Sequence, residues 1–374
     1  MARILYFVTE DWYFCSHRLS LAVAAKSAGH SVTVVTRVQS HGDVIRASGL
    51  DLVPMELSRR GRNVFAEIGL LVRLVKTYRI HRPDIVHHVA IKPVVYGSVA
   101  AWIAGAPRTV NAIAGLGYVF SSKDVRARVL RPLLKSAFRV LFGRGRGRVI
   151  VQNPDDRAML VDLKLVNQQR IVLIRGSGVD VKEFCVTPEP AGIPLVVLPA
   201  RLLWDKGVAE FVAAAKMLRN SGVRARFALV GEPDQENPGT VPLDQLRSWD
   251  SDGFVEWWGR RDDMALVYAE SAIVCLPTSY GEGLPKSLLE AAACGRPIVA
   301  TDAPGCREIV RHEDNGLLVP VRDVKALAAA LARLIDEAAL RARMGLRGRE
   351  LVEAEFTVER VIQQTLAVYE ELLA

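Results

Sequence analysis

No apolar run in this sequence reaches the roughly 18 uncharged residues that a helix needs to cross a bilayer, so no membrane-spanning helix is expected. The opening segment meets Arg3 at once and reads as a first strand rather than a signal peptide. Cysteines are few: five, at 15, 185, 275, 294 and 306, with no CxxC pair. That excludes a disulfide framework and fits a reducing cytosol. There is no Walker A sequence, no GxGxxG spacing, and no His/Cys/Asp/Glu cluster at metal-ligand spacing. P-loop chemistry and the dinucleotide fingerprint are therefore not expected, and neither is a bound metal or other cofactor. Asp250 and Asp252 have a D-x-D form but follow a helix in a polar loop, and read as surface.

What is present begins with length and charge. The chain has 374 residues, half of them apolar, enough for two domains with sizeable cores. Its net charge of +8 is unevenly spread. Residues 1–190 hold 28 Lys and Arg against 14 acids, whereas residues 191–374 hold 21 against 27. A basic half points to an anionic partner: a phospholipid surface, nucleic acid or a phosphate-bearing substrate. The plain alternative is an Arg-rich solvated surface.

Short apolar strands alternate with helices throughout, which argues for parallel sheets with crossover helices. Strands are expected at 3–8, 31–36, 49–55, 84–89, 108–112, 149–152 and 171–174. In the second half they fall at 194–199, 225–230, 253–258, 272–276 and 297–300. Residues 10–18 read as a polar-aromatic loop. The proline-rich stretch 184–194 is the best linker candidate. The expected architecture is two doubly wound α/β domains facing one cleft, 1–183 and 184–356, with a last helix at about 357–374 returning to the first.

The stretch Pro277 to Glu290 reads as strand end, Gly/Pro loop and helix start, where α/β folds place ligands. Glu282 and Glu290 could accept hydrogen bonds from sugar hydroxyls, or be ordinary loop and helix-surface acids. Arg201 and Lys206, after the strand at 194–199, would suit a diphosphate; solvated charges at a helix start are the alternative. Gly231 and Gly259 sit at strand-to-loop turns where a backbone can approach a ligand. In the basic half, His87, His88 and Lys92 lie at a strand end, so one histidine could serve as acid, base or polarising group. Either could equally be a core histidine. Residues 125–148 combine Arg128, Arg131, Lys135 and Arg139 at helical spacing with an apolar face of Val129, Leu130, Leu133, Leu134, Phe138, Leu141 and Phe142. A basic amphipathic helix suggests docking on an anionic membrane; a crossover helix packed on the sheet is the alternative.

Taken in order, Arg201, Lys206-Gly207, Gly231, Glu282-Gly283-Leu284, Glu290, Gly295, Gly305 and Asn315-Gly316 resemble the donor motifs of family 4 glycosyltransferases of the GT-B fold. The resemblance implies retaining transfer from a nucleotide sugar, usually UDP-linked, without a bound metal. Arg201 and Lys206 would hold the donor diphosphate, Glu290 the ribose, and Glu282 with the Gly283 and Leu284 amides the donor sugar. His87 or His88 would position that sugar. Asp11 to Arg18, Ile91 to Gly97 and Asn111 to Phe120 look most like members that extend polyprenyl-diphosphate-linked sugars in bacterial surface-glycan assembly. Ser16, His17, Arg18, Lys92 and Asn111 are the acceptor candidates on that likeness. It places the enzyme in the cytoplasm, on the inner face of the cytoplasmic membrane. A soluble acceptor, a donor-binding relative without activity and a basic nucleic-acid-binding protein are the alternatives. No motif supports nucleic acid as a partner.

Overall fold

The computed structural model describes residues 1–57, 64–116, 125–143 and 146–374, with side chains of the helix beginning at 125 described from 131 onward. They form two compact units, 1–177 with 358–374, and 178–357.

The first unit is a seven-stranded sheet, ordered β3-β2-β1-β4-β5-β6-β7 and parallel throughout. Its strands are β1 (Arg3–Glu10), β2 (Ser31–Arg37), β3 (Asp51–Pro54), β4 (Ile85–Val89), β5 (Arg108–Ile113), β6 (Arg146–Val151) and β7 (Ile171–Leu173). The helices are α1 (Asp11–His17), α2 (Leu19–Ser27), α3 (Gly42–Ala47), α4 (Val64–His81), α5 (Ile91–Ala104), α6 (Val125–Gly143) and α7 (Pro154–Asp162). β4 is buried at all five positions, as a central parallel strand covered on both faces must be.

The second unit is a six-stranded parallel sheet, ordered β10-β9-β8-β11-β12-β13. It contains β8 (Leu195–Pro199), β9 (Arg226–Val230), β10 (Glu256–Gly259), β11 (Ile273–Leu276), β12 (Ile298–Thr301) and β13 (Gly316–Val319). Its helices are α8 (Val208–Asn220), α9 (Leu243–Ser251), α10 (Met264–Glu270), α11 (Lys286–Ala293), α12 (Cys306–Ile309), α13 (Val324–Asp336) and α14 (Ala338–Glu355). The last helix, α15 (Val358–Leu373), packs Val361, Val368, Tyr369 and Leu372 into the core of the first unit. In both sheets the chain winds outward from a central strand and returns on its other side, between β1 and β4 and between β8 and β11. Such switch points open a crevice at the carboxyl ends of the strands.

Several expectations need correction. Residues 11–17 form α1 rather than a loop. Asp11 is buried there, and its carboxylate accepts the amide N–H of Trp12, Gln39, Ser40 and His41 at 2.7–2.9 Å. Burial would raise its pKa, but these donors hold it below the usual carboxylate range. The units separate before Gly178 rather than at 184. Val179 bridges Thr357 and Phe184 lies in the second core, so this segment already belongs there. In α6 only part of the proposed apolar face is covered: Phe138 and Phe142 are buried in the core while Leu133 is exposed.

Candidate active site

The site is assembled where β8 and β11 end side by side, with Val196 paired to Ile273 and Val197 to Val274. After β8 the chain makes a short 3-10 turn, Trp204–Lys206, and enters α8 through Gly207 at φ +77°. A side chain at Gly207 would collide with the Pro277 carbonyl, so glycine is required for the two loops to touch. The Asp205 carbonyl accepts Ser279 N–H at 2.8 Å and the Thr278 hydroxyl at 3.0 Å. On its other side, Glu282 N–H donates to the Pro304 carbonyl at 3.0 Å, and a Cβ at Gly305 would strike the Glu282 and Gly283 carbonyls.

This scaffold brings Lys206 onto Glu282, whose side chains are 13% and 12% exposed, in one ion pair. Thr278 Oγ also donates to Glu282 at 3.3 Å, and the Tyr280 ring centroid lies 5.5 Å from the Lys206 ammonium. Burial alone would depress the lysine, but the Glu282 carboxylate outweighs it and holds the ammonium above the ordinary lysine range. Arg201 is close enough to oppose that shift, and it donates to Asp234 at 2.7 Å. Burial and Glu282 push the Tyr280 phenol up. Five charged or polar groups from two strand ends, Arg201, Lys206, Thr278, Tyr280 and Glu282, thus share one field.

Glu290 lies in the second turn of α11, buried; it accepts Tyr268 O–H at 2.9 Å and pairs with Lys286 at 3.0 Å. Leu284 is buried at the mouth of the same helix. Gly231, at φ +144°, donates its N–H to the Gly259 carbonyl at 2.8 Å and accepts Trp257 Nε1–H at 3.0 Å. Asp250 caps Trp257 N–H at 2.9 Å and Asp252 pairs with Lys216 at 3.2 Å, so this acidic pair is structural. Thr278, Tyr280, Asp234, Tyr268 and Lys286 join the site as partners that no motif marks. The first two stand inside the stretch Pro277 to Glu290; Asp234 and Tyr268 carry no local signal.

In the first unit the histidines on β4 point to opposite faces. His88 is engaged on both ring nitrogens: Nδ1 lies 2.8 Å from the Asn111 side-chain oxygen and Nε2 3.1 Å from the Tyr78 hydroxyl. The oxygen can only accept, so Nδ1 donates and Tyr78 donates to Nε2, which makes a neutral imidazole. Burial lowers its pKa to about 4. These contacts engage both ring nitrogens of His88, expected as a candidate catalytic group, and the side-chain oxygen of Asn111, expected as an acceptor candidate. Both are buried and bonded to each other, with Ser98 as a further donor to Asn111 at 3.1 Å. Ala90, between β4 and α5, sits at φ +77° and ψ 163°, a region that suits glycine.

His87 instead meets the Tyr369 hydroxyl at 2.5 Å, which meets Tyr6 at 2.7 Å. Burial, then the nearby Arg18 charge, drives the His87 pKa well down. Its Nε2 and the Arg18 Nε are buried with no hydrogen-bond partner among the described residues. Lys92 pairs with Glu67 at 2.8 Å, and Ser16 is bonded to His17 Nδ1 at 2.6 Å. On α6, Arg139 donates to the Leu163 carbonyl at 3.1 Å, while Arg131 and Lys135 are half-buried. The side chain of Arg128 lies outside the described residues, as do residues 117–120 of the glycine-rich stretch. Among the described residues, no helix is long and apolar enough to cross a membrane, and no group of three His, Cys, Asp or Glu could hold a metal.

Residues 193–337 match a family model described as glycosyl transferases group 1, and residues 3–144 match one described as glycosyl transferase 4-like. The chain is 28% identical over 369 residues, 95% of either chain, to N,N'-diacetylbacillosaminyl-diphospho-undecaprenol alpha-1,3-N-acetylgalactosaminyltransferase of Campylobacter jejuni. It is 23% identical to UDP-Gal:alpha-D-GlcNAc-diphosphoundecaprenol alpha-1,3-galactosyltransferase of Escherichia coli, over 75% of this chain and 74% of that one. Among solved structures, Anabaena Alr3699/HepE in complex with UDP-glucose has a TM-score of 0.80 over 99% of this chain and 100% of that one. At 18% identity this likeness concerns the fold alone.

Proposed function

The chain belongs to the group 1 and 4-like glycosyl transferases and has the GT-B fold, and on that premise we propose that it moves a sugar from a UDP-linked donor to a polyprenyl-diphosphate-linked sugar. The transfer retains anomeric configuration, needs no metal and serves bacterial surface-glycan assembly at the inner face of the cytoplasmic membrane. The sugar moved is a hexose or N-acetylhexosamine. Support for the acceptor comes from the two relatives, whose names specify undecaprenyl-diphosphate-linked sugars. Support for the donor comes from the second of these relatives, whose name specifies UDP-Gal.

The observation that carries this reading is the Lys206–Glu282 pair beside Arg201 at a topological switch point. In this account Lys206 and Arg201 receive the donor diphosphate. When the bond from the anomeric carbon to the diphosphate oxygen breaks, negative charge grows on the departing oxygen. Lys206, largely withdrawn from solvent, and the more exposed Arg201 stabilise it as two cations already in place. Without donor, Glu282 occupies Lys206 and offsets the cost of desolvating its ammonium. With donor, the carboxylate turns to the sugar hydroxyls, together with the amides of Gly283 and Leu284. Glu290, oriented by Tyr268 and Lys286, accepts from the ribose hydroxyls. Gly231 and Gly259 let the backbone approach the nucleotide. In the first unit, Arg18, Ser16, His17 and Lys92 face the acceptor diphosphate and sugar, and His87 Nε2 is the ring nitrogen left to a substrate hydroxyl.

The test is a panel of UDP-sugars offered with lipid-linked acceptors, read by mass and by anomeric configuration of the product. Transfer to a soluble sugar alone would replace the lipid-linked reading.

A further inference from the structure

The first unit carries a further concavity, at the amino ends of its strands, whereas its histidines lie toward the carboxyl end of β4. It is a groove of about 550 Å³ between α5 and α6. Val95, Val99 and Trp102 line one wall, and Ala137, Val140 and Leu141 the other. The size is that of an ordinary small-molecule site. Apolar side chains on the same two helices are exposed: Trp102 by 64% and Leu133 by 66%, with Ile103 and Val140 also exposed. Exposed apolar side chains beside an apolar groove mark a contact with something apolar.

Charge indicates what that something is. From Ile85 to Asn153 the sequence has eleven Lys and Arg and a single acid, Asp124. Arg146, at the start of β6, lines the groove itself, and Lys135 immediately precedes Ser136 on its α6 wall. An apolar slot flanked by Arg146 and Lys135 complements a molecule with an anionic head and a hydrocarbon tail. The groove lies by Gly105–Pro107 and Arg146, at the amino ends of β5 and β6. Reacting ligands of doubly wound sheets bind at the carboxyl ends. The occupant is therefore a lipid of the bilayer and not the reacting acceptor.

We infer that the α5/α6 groove takes an acyl chain of an anionic phospholipid, with Arg146 meeting its headgroup. This rests on the reading above of an enzyme that works at a membrane. The groove does more than electrostatic adsorption can: it fixes which side of the first unit faces the bilayer and how deeply Trp102 enters it.

The test uses the full chain with phosphatidylglycerol vesicles whose acyl chains carry bromine, which quenches tryptophan on contact. The expected result is a loss of emission that unbrominated vesicles do not cause and that is missing in Trp102→Phe. Ala137→Phe, which fills the groove, should reduce the quenching while the protein still floats with the vesicles. Arg146→Gln should weaken vesicle binding roughly fivefold, the effect of one basic residue at an anionic surface. Flotation without quenching of Trp102 would overturn the proposal in favour of headgroup attraction alone. A dimer in sedimentation with Trp102 unquenched would overturn it in favour of a second copy covering the groove. Absence of vesicle binding would also overturn it. Sugar transfer to a short-chain acceptor in detergent-free buffer, measured in parallel, reports on the proposed reaction independently of the groove.

Discussion

The Lys206 ammonium and the Glu282 carboxylate form one ion pair across 76 residues of sequence, each largely withdrawn from solvent. Removing either partner alone leaves the other largely buried without this counter-charge. Lys206→Ala is expected to lower the stability of the second unit by about 3–5 kcal/mol and to reduce kcat by roughly 10²–10³ through the lost diphosphate contact. The double variant Lys206→Ala/Glu282→Ala should regain most of the stability and none of the rate. Denaturant unfolding alongside initial rates checks this. Recovery of both would make the pair a structural brace only.

Glu290 has a narrower role. Tyr268 and Lys286 hold its carboxylate at the helix mouth. Glu290→Gln keeps the shape and removes the charge that strengthens its hydrogen bonds. Calorimetry should show UDP binding weakened by roughly tenfold or more, the loss expected when a hydrogen bond to a charged group becomes ordinary. Unchanged UDP affinity would remove Glu290 from the ribose site.

His88 makes stability depend on pH. Its folded pKa of about 4 lies below the ordinary value of 6.5, so below pH 6.5 the unfolded chain binds a proton that the native chain refuses. Stability is therefore full above pH 6.5 and falls as pH drops toward 4, by up to about 3 kcal/mol from this one group. Buried His87 adds in the same direction. Denaturant midpoints between pH 7.5 and 4.5 should show this slope, and His88→Gln should flatten it. An equal slope in the variant would assign the pH dependence to other groups.

Ala90 holds backbone angles that favour glycine, between the strand carrying both histidines and α5. Ala90→Gly is expected to raise stability by about 1 kcal/mol by relieving that strain, net of glycine's greater unfolded-state entropy. A loss of stability would mean that the Ala90 methyl packs more usefully than the strain costs.

Much of this fold was legible because parallel strands are short buried apolar runs. Residues such as Val196–Leu198 and Val274–Leu276 announce themselves by composition. Helix α1 did not, since its aromatic and polar side chains carry no amphipathic stripe and Asp11 acts on a loop nearly thirty residues away. Helix α5 carries Pro93 in its first turn, where a missing N–H costs nothing. The donor motifs were visible as residues, whereas their pairing depends on β8 and β11 lying side by side. The His87–Tyr369 contact spans 282 residues, and no local pattern announces it.

The central claim is donor-dependent transfer to a lipid-linked sugar. It is tested most directly by mass spectrometry of a polyprenyl-diphosphate-linked acceptor after incubation with each of a panel of UDP-sugars. A gain of one sugar with one or a few donors is expected, matched by released UDP and absent with Lys206→Ala. No mass gain with any donor, or an equal gain with Lys206→Ala, would contradict it.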